Sequence, residues 1–235
     1  MCSSDLELQR RGNKEKWVVS WSGGKDCTIA LYRGLRQGLN ISHLLTVVRN
    51  DGKSTQHRIP WSVLEAQASS LDLRLAGAKL QFPSYRSYQA SAFQGLQRLK
   101  REEEITGCIF GDINVEWRRS TNESMCEKLG IKAYHPLWGN NEEEIVEEFI
   151  NQGFSAMIIA VNSRFMGEEW LGKSLNKETV NLLKKAGLNP SGEDGQFHTI
   201  VTGGPLFKNK FRLTKRVVNS SLVAKHLDLR YITME

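Results

Sequence analysis

The feature that most constrains this chain is a glycine pair between a short apolar run and an amphipathic run. Residues 17–21 read WVVSW, which predicts a buried strand, and SGGKDC follows at once at residues 22–27. The next stretch, TIALYRGLRQG, has apolar residues at helical spacing and a natural C-terminal stop at Gly38. The chain therefore contains a strand–loop–helix unit whose loop lies at the amino terminus of the helix.

This loop has the chemical properties of an anion site. Gly23 and Gly24 let backbone N–H groups approach a ligand closely, the helix terminus adds a positive dipole, and Lys25 adds a full charge. A tight turn with a polar helix cap is the alternative, but the complete context favours phosphate binding. The segment is not a Walker A loop, because the G-x-x-x-x-G-K-[ST] spacing is absent. The predicted phosphate contacts are Ser22, Gly23, Gly24, Lys25, Asp26 and Cys27.

Strand and helix patterns alternate along the first half of the chain. Further strands are predicted at residues 41–50 and 105–112, and helices at 61–71, 85–104 and 117–129. This alternation predicts an α/β fold with a doubly wound parallel sheet. The segment HPLWGNN at residues 135–141 predicts a domain boundary, after which a second, smaller α/β domain follows. The expected domains are a polar tail (1–16), a nucleotide-binding domain (17–135), a smaller α/β domain (136–215) and a basic tail (216–235).

Composition excludes several classes of protein. Of the 235 residues, 40% are hydrophobic and 25% are charged, which excludes a disordered chain, a collagen and a coiled coil. The sequence has no apolar run long enough for a transmembrane helix, and its polar amino terminus does not resemble a secretory signal. Four cysteines without zinc spacing predict free thiols and a cytoplasmic location. The net charge of +6 (32 basic against 26 acidic residues) favours solvated, charged ends over nucleic-acid binding.

Several motifs resemble those of a known family. WSGGKDC is similar to the pyrophosphate-binding motif of the ATP pyrophosphatase superfamily, whose fold is of the adenine nucleotide α-hydrolase type. HPLWG (135–139), FSAMIIAVNS (154–163), EEWLGK (168–173) and GLNPSGEDGQFHTIV (187–201) resemble the diphthine–ammonia ligase family. The resemblance implies cleavage of ATP, with Mg²⁺, to AMP and pyrophosphate, and amidation of a carboxylate with ammonia. In that family the acceptor is diphthine on elongation factor 2.

Two departures from the family pattern leave questions open. Cys27 stands where a Ser or Thr is usual and Thr28 follows it, so either side chain is a candidate for the phosphate contact. The F-G-D-I form at residues 110–113 resembles a bacterial-type branch of the family, and the identity of the acceptor in that branch is an open question. ATP use is therefore better supported than diphthine as the substrate.

The remaining candidate residues lie at strand ends and in the second half. Asp112 follows a predicted strand, at the edge where doubly wound sheets bind ligands. Val48 and His57 are further nucleotide-site candidates, and Asp26 either caps its helix or holds Mg²⁺. Glu193 and His198 lie in the Gly-rich loop 192–199, which we expect to face the phosphate loop across an interdomain cleft and to serve the acceptor half-reaction. The predicted catalytic residues are Lys25, Asp112, Glu193 and His198, without a metal-ligating cluster.

Three functions are compatible with these motifs. The first is an AMP-forming amide ligase, which the Glu and His of the Gly-rich loop favour. The second is an ATP- or AMP-binding regulator, and the third is an adenylating enzyme that modifies tRNA. The third has less support, because basic and aromatic residues are not interleaved as in RNA-binding modules. The sequence leaves a homo-oligomer open.

Overall fold

The computed structural model describes residues 15–55, 57–209, 218–224 and 227–232. These residues form two compact units that are not continuous in sequence. The first unit contains residues 15–22, 26–55 and 72–140. The second contains residues 23–25, 57–71 and 141–209 together with the two strands beyond residue 217.

A parallel five-stranded sheet forms the centre of the first unit. Its strands are β1 (Lys16–Ser20), β2 (Asn40–Val48), β3 (Arg74–Lys79), β4 (Ile105–Ile109) and β5 (Lys132–Tyr134). Their spatial order is β3-β2-β1-β4-β5, and every neighbouring pair is parallel. The direction of the chain along the sheet therefore reverses between β1 and β4, where ligands of open α/β sheets bind.

Helices cover both faces of this sheet. They are α1 (Lys25–Arg36), α3 (Tyr85–Glu103) and α4 (Glu116–Leu129). Cys108 packs in a core with Leu96 of α3 and Met125 of α4. Its neighbour Ile109 points to the opposite face, where a Cβ on Gly34 of α1 would lie 2.7 Å from its Cδ1. The structure thus confirms the predicted α/β class with a doubly wound parallel sheet.

The second unit combines helices with an antiparallel sheet. Its strands are β6 (Ser155–Asn162), β7 (Phe197–Gly203), β8 (Val218–Ala224) and β9 (Leu227–Ile232), in the order β7-β6-β9-β8. Its helices are α2 (Trp61–Ser70), α5 (Glu142–Asn151) and α6 (Lys177–Lys185), with short 3₁₀ turns at Glu168–Trp170 and Glu193–Gly195. Ile158, Leu183 and Phe197 are buried together in its core.

The observed elements differ from the sequence expectations in three places. Strands β3 and β5 were not expected, and the stretch expected to be a basic tail instead contains β8 and β9. Helix α2 groups with the second unit, although its residues lie within the expected first domain. The polar tail lies outside the described residues up to residue 14, and Lys16 already belongs to β1.

Two further properties concern the described residues alone. No helix among them has both the length and the apolar composition that crossing a bilayer requires.

Cys27, Cys108 and Cys126 are buried thiols that form no disulfide among the described residues. Burial raises the pKa of Cys126 to about 12 and that of Cys108 well above its usual value, so both thiols are protonated and inert at neutral pH.

Candidate nucleotide-binding and active site

The two glycines of the phosphate loop are required by their packing. Gly23 has φ +82°, a conformation that side chains rarely adopt. A Cβ at Gly23 would lie 2.8 Å from the side-chain oxygen of Gln67, and one at Gly24 would lie 2.7 Å from Cε1 of His57. Both positions therefore exclude a side chain, and the backbone of the loop stays close to its neighbours.

Gln67 of α2 anchors the backbone of the loop and is a site residue that the sequence did not indicate. Its side chain is fully buried, and Nε2 donates hydrogen bonds to the carbonyl oxygens of Gly23 (3.1 Å) and Val201 (2.8 Å). The backbone N–H of Val201 in β7 donates to the same Gly23 oxygen at 2.9 Å. The local sequence offers no signal for these contacts, because both partners of Gln67 are distant along the chain.

Lys25 begins α1 and is buried. Its residue surface is only 3% exposed, and its backbone N–H donates to Oγ1 of Thr199 in β7 at 3.2 Å. Its charge and the positive end of the helix dipole coincide at this point of the loop. This combination suits a phosphate group, and phosphate binding at this segment stays a prediction.

The other residues of the loop lie in the first unit. The hydroxyl of Ser22 donates to Sγ of Cys27 at 3.4 Å, so the cysteine orients the serine. Cys27 and Thr28 are both buried, at 4% and 0% exposure, whereas Asp26 is half-buried. A Cβ on Gly111, just after β4, would lie 3.1 Å from the backbone of Asp26 and of Cys27. The end of β4 therefore packs directly on the first turn of α1.

His57 and His198 form a stacked pair in the second unit. Their ring centroids are 4.5 Å apart and their planes are inclined by 20°. Nδ1 of His57 lies 3.1 Å from the carbonyl oxygen of Thr199. A proton on Nδ1 makes this contact a hydrogen bond and leaves Nε2 as the acceptor of the neutral ring. The structure thus brings two predicted site residues together beside Gly24.

The loop that contains Glu193 is anchored to the start of α5. Asn189 and Ser191 donate from their side chains to Oε2 of Glu142, at 2.6 and 2.9 Å. The backbone N–H of Glu193 donates to the Ser191 hydroxyl at 3.2 Å, and Gly192 before it has φ +71°. Glu142 belongs to an acidic run of α5 whose other members follow it along the helix, and it serves here as a structural acceptor.

Asp112 lies in a polar cluster at the ends of β4 and β5. Its Oδ2 accepts a hydrogen bond from Nδ2 of Asn122 at 2.8 Å and lies 3.7 Å from Nδ1 of His135. The ring of His135 stacks on Phe110 with centroids 5.1 Å apart. Burial raises the pKa of Asp112, while nearby His135 and Arg118 act in the opposite direction. Burial lowers the pKa of His135, against the effect of Asp112.

The predicted residues thus fall into two groups, each described within its own unit. Gly23, Gly24, Lys25, His57 and His198 lie together around β7, and Glu193 belongs to the same unit. Ser22, Asp26, Cys27, Val48 and Asp112 belong to the first unit. Of these, Val48 ends β2, and its carbonyl oxygen accepts from the backbone N–H of Leu80 at 2.7 Å. Within the described ranges, no three His, Cys, Asp or Glu side chains are grouped so that they could hold a metal ion.

Comparison with known proteins identifies two matching family models. The model described as the diphthamide synthase N-terminal domain matches residues 15–133. The model described as the diphthamide synthase C-terminal domain matches residues 141–229. The first match alone covers half of the chain.

Individual relatives agree with these models. A protein of Schizosaccharomyces pombe named diphthine–ammonia ligase is 29% identical over 220 residues, which span 85% of this chain and 36% of the relative. A protein of the same name from Homo sapiens is 32% identical over 138 residues, which span 57% of this chain and 50% of the relative. This chain therefore covers half or less of the length of these curated relatives.

A solved structure also aligns with the chain. It is titled as a predicted subunit of tRNA methyltransferase from Methanocaldococcus jannaschii, and the alignment covers 81% of this chain and 98% of that one. The TM-score is 0.46 and the sequence identity is 18%.

Proposed function

The chain belongs to the diphthamide synthase family, and from this premise we propose that it is an ATP-dependent ligase that joins ammonia to a carboxylate. The names of the relatives supply the reaction class. Diphthine on elongation factor 2 is the acceptor to test first. A cytoplasmic location is part of the same proposal.

The observation that supports ATP binding is the buried lysine of a rigidly held glycine loop. Gly23 is held by Gln67 and Val201, and the backbone of Lys25 is held by Thr199. A loop fixed in this way need not be ordered when the phosphate chain binds, so less conformational entropy is lost. In the reaction, a carboxylate oxygen of the acceptor attacks the α-phosphorus of ATP. The bond between the α-phosphorus and the bridging oxygen breaks, and pyrophosphate leaves with the electron pair.

The second half-reaction uses the acyl adenylate. Ammonia attacks the carbonyl carbon, and the bond from that carbon to the AMP oxygen breaks as the amide forms. We propose that Glu193 and His198 bind or orient the acceptor and move protons in this step, and that Asp112 lies at the reacting centre. The stacking of His198 on His57, which contacts the carbonyl of Thr199, supports a role for both rings near the phosphate loop.

The proposal includes Mg²⁺, for which the loop offers one carboxylate ligand. Magnesium bound to nucleotides takes most of its ligands from phosphates and water, with one or two protein carboxylates. Asp26 in the first turn of α1 is the carboxylate of the loop and fits that limited demand. Bound magnesium would neutralise charge on the phosphates as pyrophosphate leaves.

The first test is the affinity for ATP. Lys25→Ala removes a buried charge-assisted contact worth about 1.5–3 kcal/mol, so calorimetry should find ATP bound about 10- to 150-fold more weakly. Lys177→Ala is the matched control, because Lys177 also begins a helix but is exposed. Equal ATP affinity of the wild type and the Lys25→Ala variant would contradict the assignment of the loop.

The second test concerns products and the acceptor half-reaction. Labelled ATP should yield AMP and pyrophosphate when ammonia and the acceptor are added. Release of ADP and phosphate would exclude adenylation, and ATP binding without turnover on any acceptor would favour a nucleotide-binding regulator. Glu193→Gln or His198→Ala should bind ATP yet lose about 10²- to 10⁴-fold in amide formation, with exposed Glu178→Gln as the control.

A further inference from the structure

His135 is a buried side chain whose polar atoms are not satisfied. It directly follows β5, and its side chain is 6% exposed. Neither ring nitrogen has a hydrogen-bond partner within the described part of the chain. Unsatisfied buried nitrogens cost free energy, so a ring held in this state usually serves a further group.

The carboxylate of Asp112 lies beside this ring. Its Oδ2 is 3.7 Å from Nδ1 of His135, which is too long for a hydrogen bond. Asn122 donates to the same oxygen at 2.8 Å, and the Asp112 side chain is 16% exposed. The pair therefore places a carboxylate held by Asn122 beside an imidazole with unsatisfied ring nitrogens, just after β4 and β5.

The chemistry of the pair suits a small cation with N–H groups. Burial lowers the pKa of His135, so one ring nitrogen keeps its lone pair at neutral pH and accepts a hydrogen bond. Sodium, potassium and magnesium ions prefer oxygen ligands, whereas an imidazole nitrogen accepts readily from an N–H donor. The Phe110 ring stacked on His135 adds an aromatic surface to the same cluster.

We propose that Asp112 and His135 form a binding site for the ammonium ion, in which the carboxylate and a ring nitrogen accept its N–H groups. This inference rests on the proposed function for the reaction that the ammonia enters. In this inference the ammonium ion, which is the nitrogen donor, binds just after β4 and β5. The acceptor carboxylate binds to other residues. His135 thereby acquires a role that its place beside the P-L-W motif did not indicate.

The direct test does not depend on catalysis. Histidine ring nitrogens are followed by ¹⁵N NMR while ammonium chloride is added to the wild-type protein, and the His135→Phe variant assigns the resonance. The His135 signal should shift in a saturable way with ammonium but not with tetramethylammonium or potassium chloride at equal ionic strength. Asp112→Asn should abolish the shift. An unresponsive His135 signal, or equal shifts with all three salts, would overturn the inference and leave a bound water as the partner of the ring.

A kinetic test separates this inference from the proposed function. His135→Phe keeps the stacked ring but removes both nitrogens, and should raise KM for ammonium about 10- to 100-fold while KM for ATP changes far less. Hydroxylamine, which is uncharged at neutral pH, should lose much less in the same variant. The exposed Asp51→Asn is the control. Failure of the wild type to form any amide contradicts the proposed function, whereas a wild-type ammonium KM in the variant contradicts this inference alone.

Discussion

The contact that most directly determines the phosphate loop is the side chain of Gln67. Its two hydrogen bonds, of 3.1 and 2.8 Å, are completely buried, and a net contribution of about 0.5–1.5 kcal/mol each gives about 2 kcal/mol together. Gln67→Leu keeps the volume and removes both donors. Because the Val201 N–H still reaches the Gly23 oxygen, the loop should loosen and not unfold.

The measurable consequences are a lower stability and a weaker ATP site. A loss of about 2 kcal/mol should lower Tm by about 4–8 °C in a protein of this size. Two loop residues that must be ordered again on binding cost about 1–2 kcal/mol each at most, so ATP affinity should fall about 10-fold and by no more than about 1,000-fold. Differential scanning calorimetry and isothermal titration calorimetry measure the two quantities on the same samples.

A second variant at Gln67 and a control variant test the same reasoning. Gln67→Glu places a carboxyl against two carbonyl oxygens, and burial raises the pKa of that carboxyl. Its stability deficit should therefore grow as the pH rises through the raised pKa, whereas the deficit of Gln67→Leu should not change with pH. Gln97→Leu, on an exposed position of α3, should change stability by less than about 0.5 kcal/mol. Wild-type Tm and ATP affinity in Gln67→Leu would refute the reasoning.

Three further predictions follow from other contacts. Gly111→Ala should cost about 1–3 kcal/mol in urea denaturation, because its Cβ would press on backbone atoms of Asp26; a neutral effect would contradict that packing. Glu142→Ala should speed amide hydrogen exchange at Ser191 by removing the acceptor that holds its loop, and unchanged exchange would contradict this. Burial and the nearby Arg74 lower the pKa of His43, so its contribution to stability is complete above pH 6.5 and is lost as the pH falls through the lower folded-state pKa. His43→Gln should flatten the stability curve from pH 6.5 downward, and identical acid limbs would contradict the assignment.

The centre of the sheet could be predicted from the sequence, but its edges could not. Strands β1, β2 and β4 are apolar because they are central and covered on both faces. Strand β3 (RLAGAK) is an edge strand, and its charged ends and glycine hide its pattern. Strand β5 has only three residues. Strands β8 (VNSSLVA) and β9 (LDLRYI) contain polar residues in their sequences, and their basic surroundings suggested a tail.

The residues of the candidate site could likewise be predicted only in part from the sequence. The loop at residues 22–27 could be proposed as a phosphate site from the sequence, because its residues are consecutive and their types suit an anion. Gln67 and His135 were not recognised, since their partners are distant in sequence. Gln67 bonds to residues 44 and 134 positions away, and nothing in the local sequence WSVLEAQASSL indicates either contact. Residues whose function depends on such partners become visible only when the chain is folded.

The hydrogen bonds of the loop also show how residues of the C-terminal half order the proposed phosphate site. A glycine pair is flexible, and its freedom would have to be lost when a phosphate chain binds. Here β7 holds Gly23 through Val201 and Lys25 through Thr199, so residues from near position 200 order a motif near position 24. We therefore expect the SGGKD segment to be ordered for phosphate binding by this strand. Changes in β7 should consequently weaken ATP binding even though the motif itself is intact.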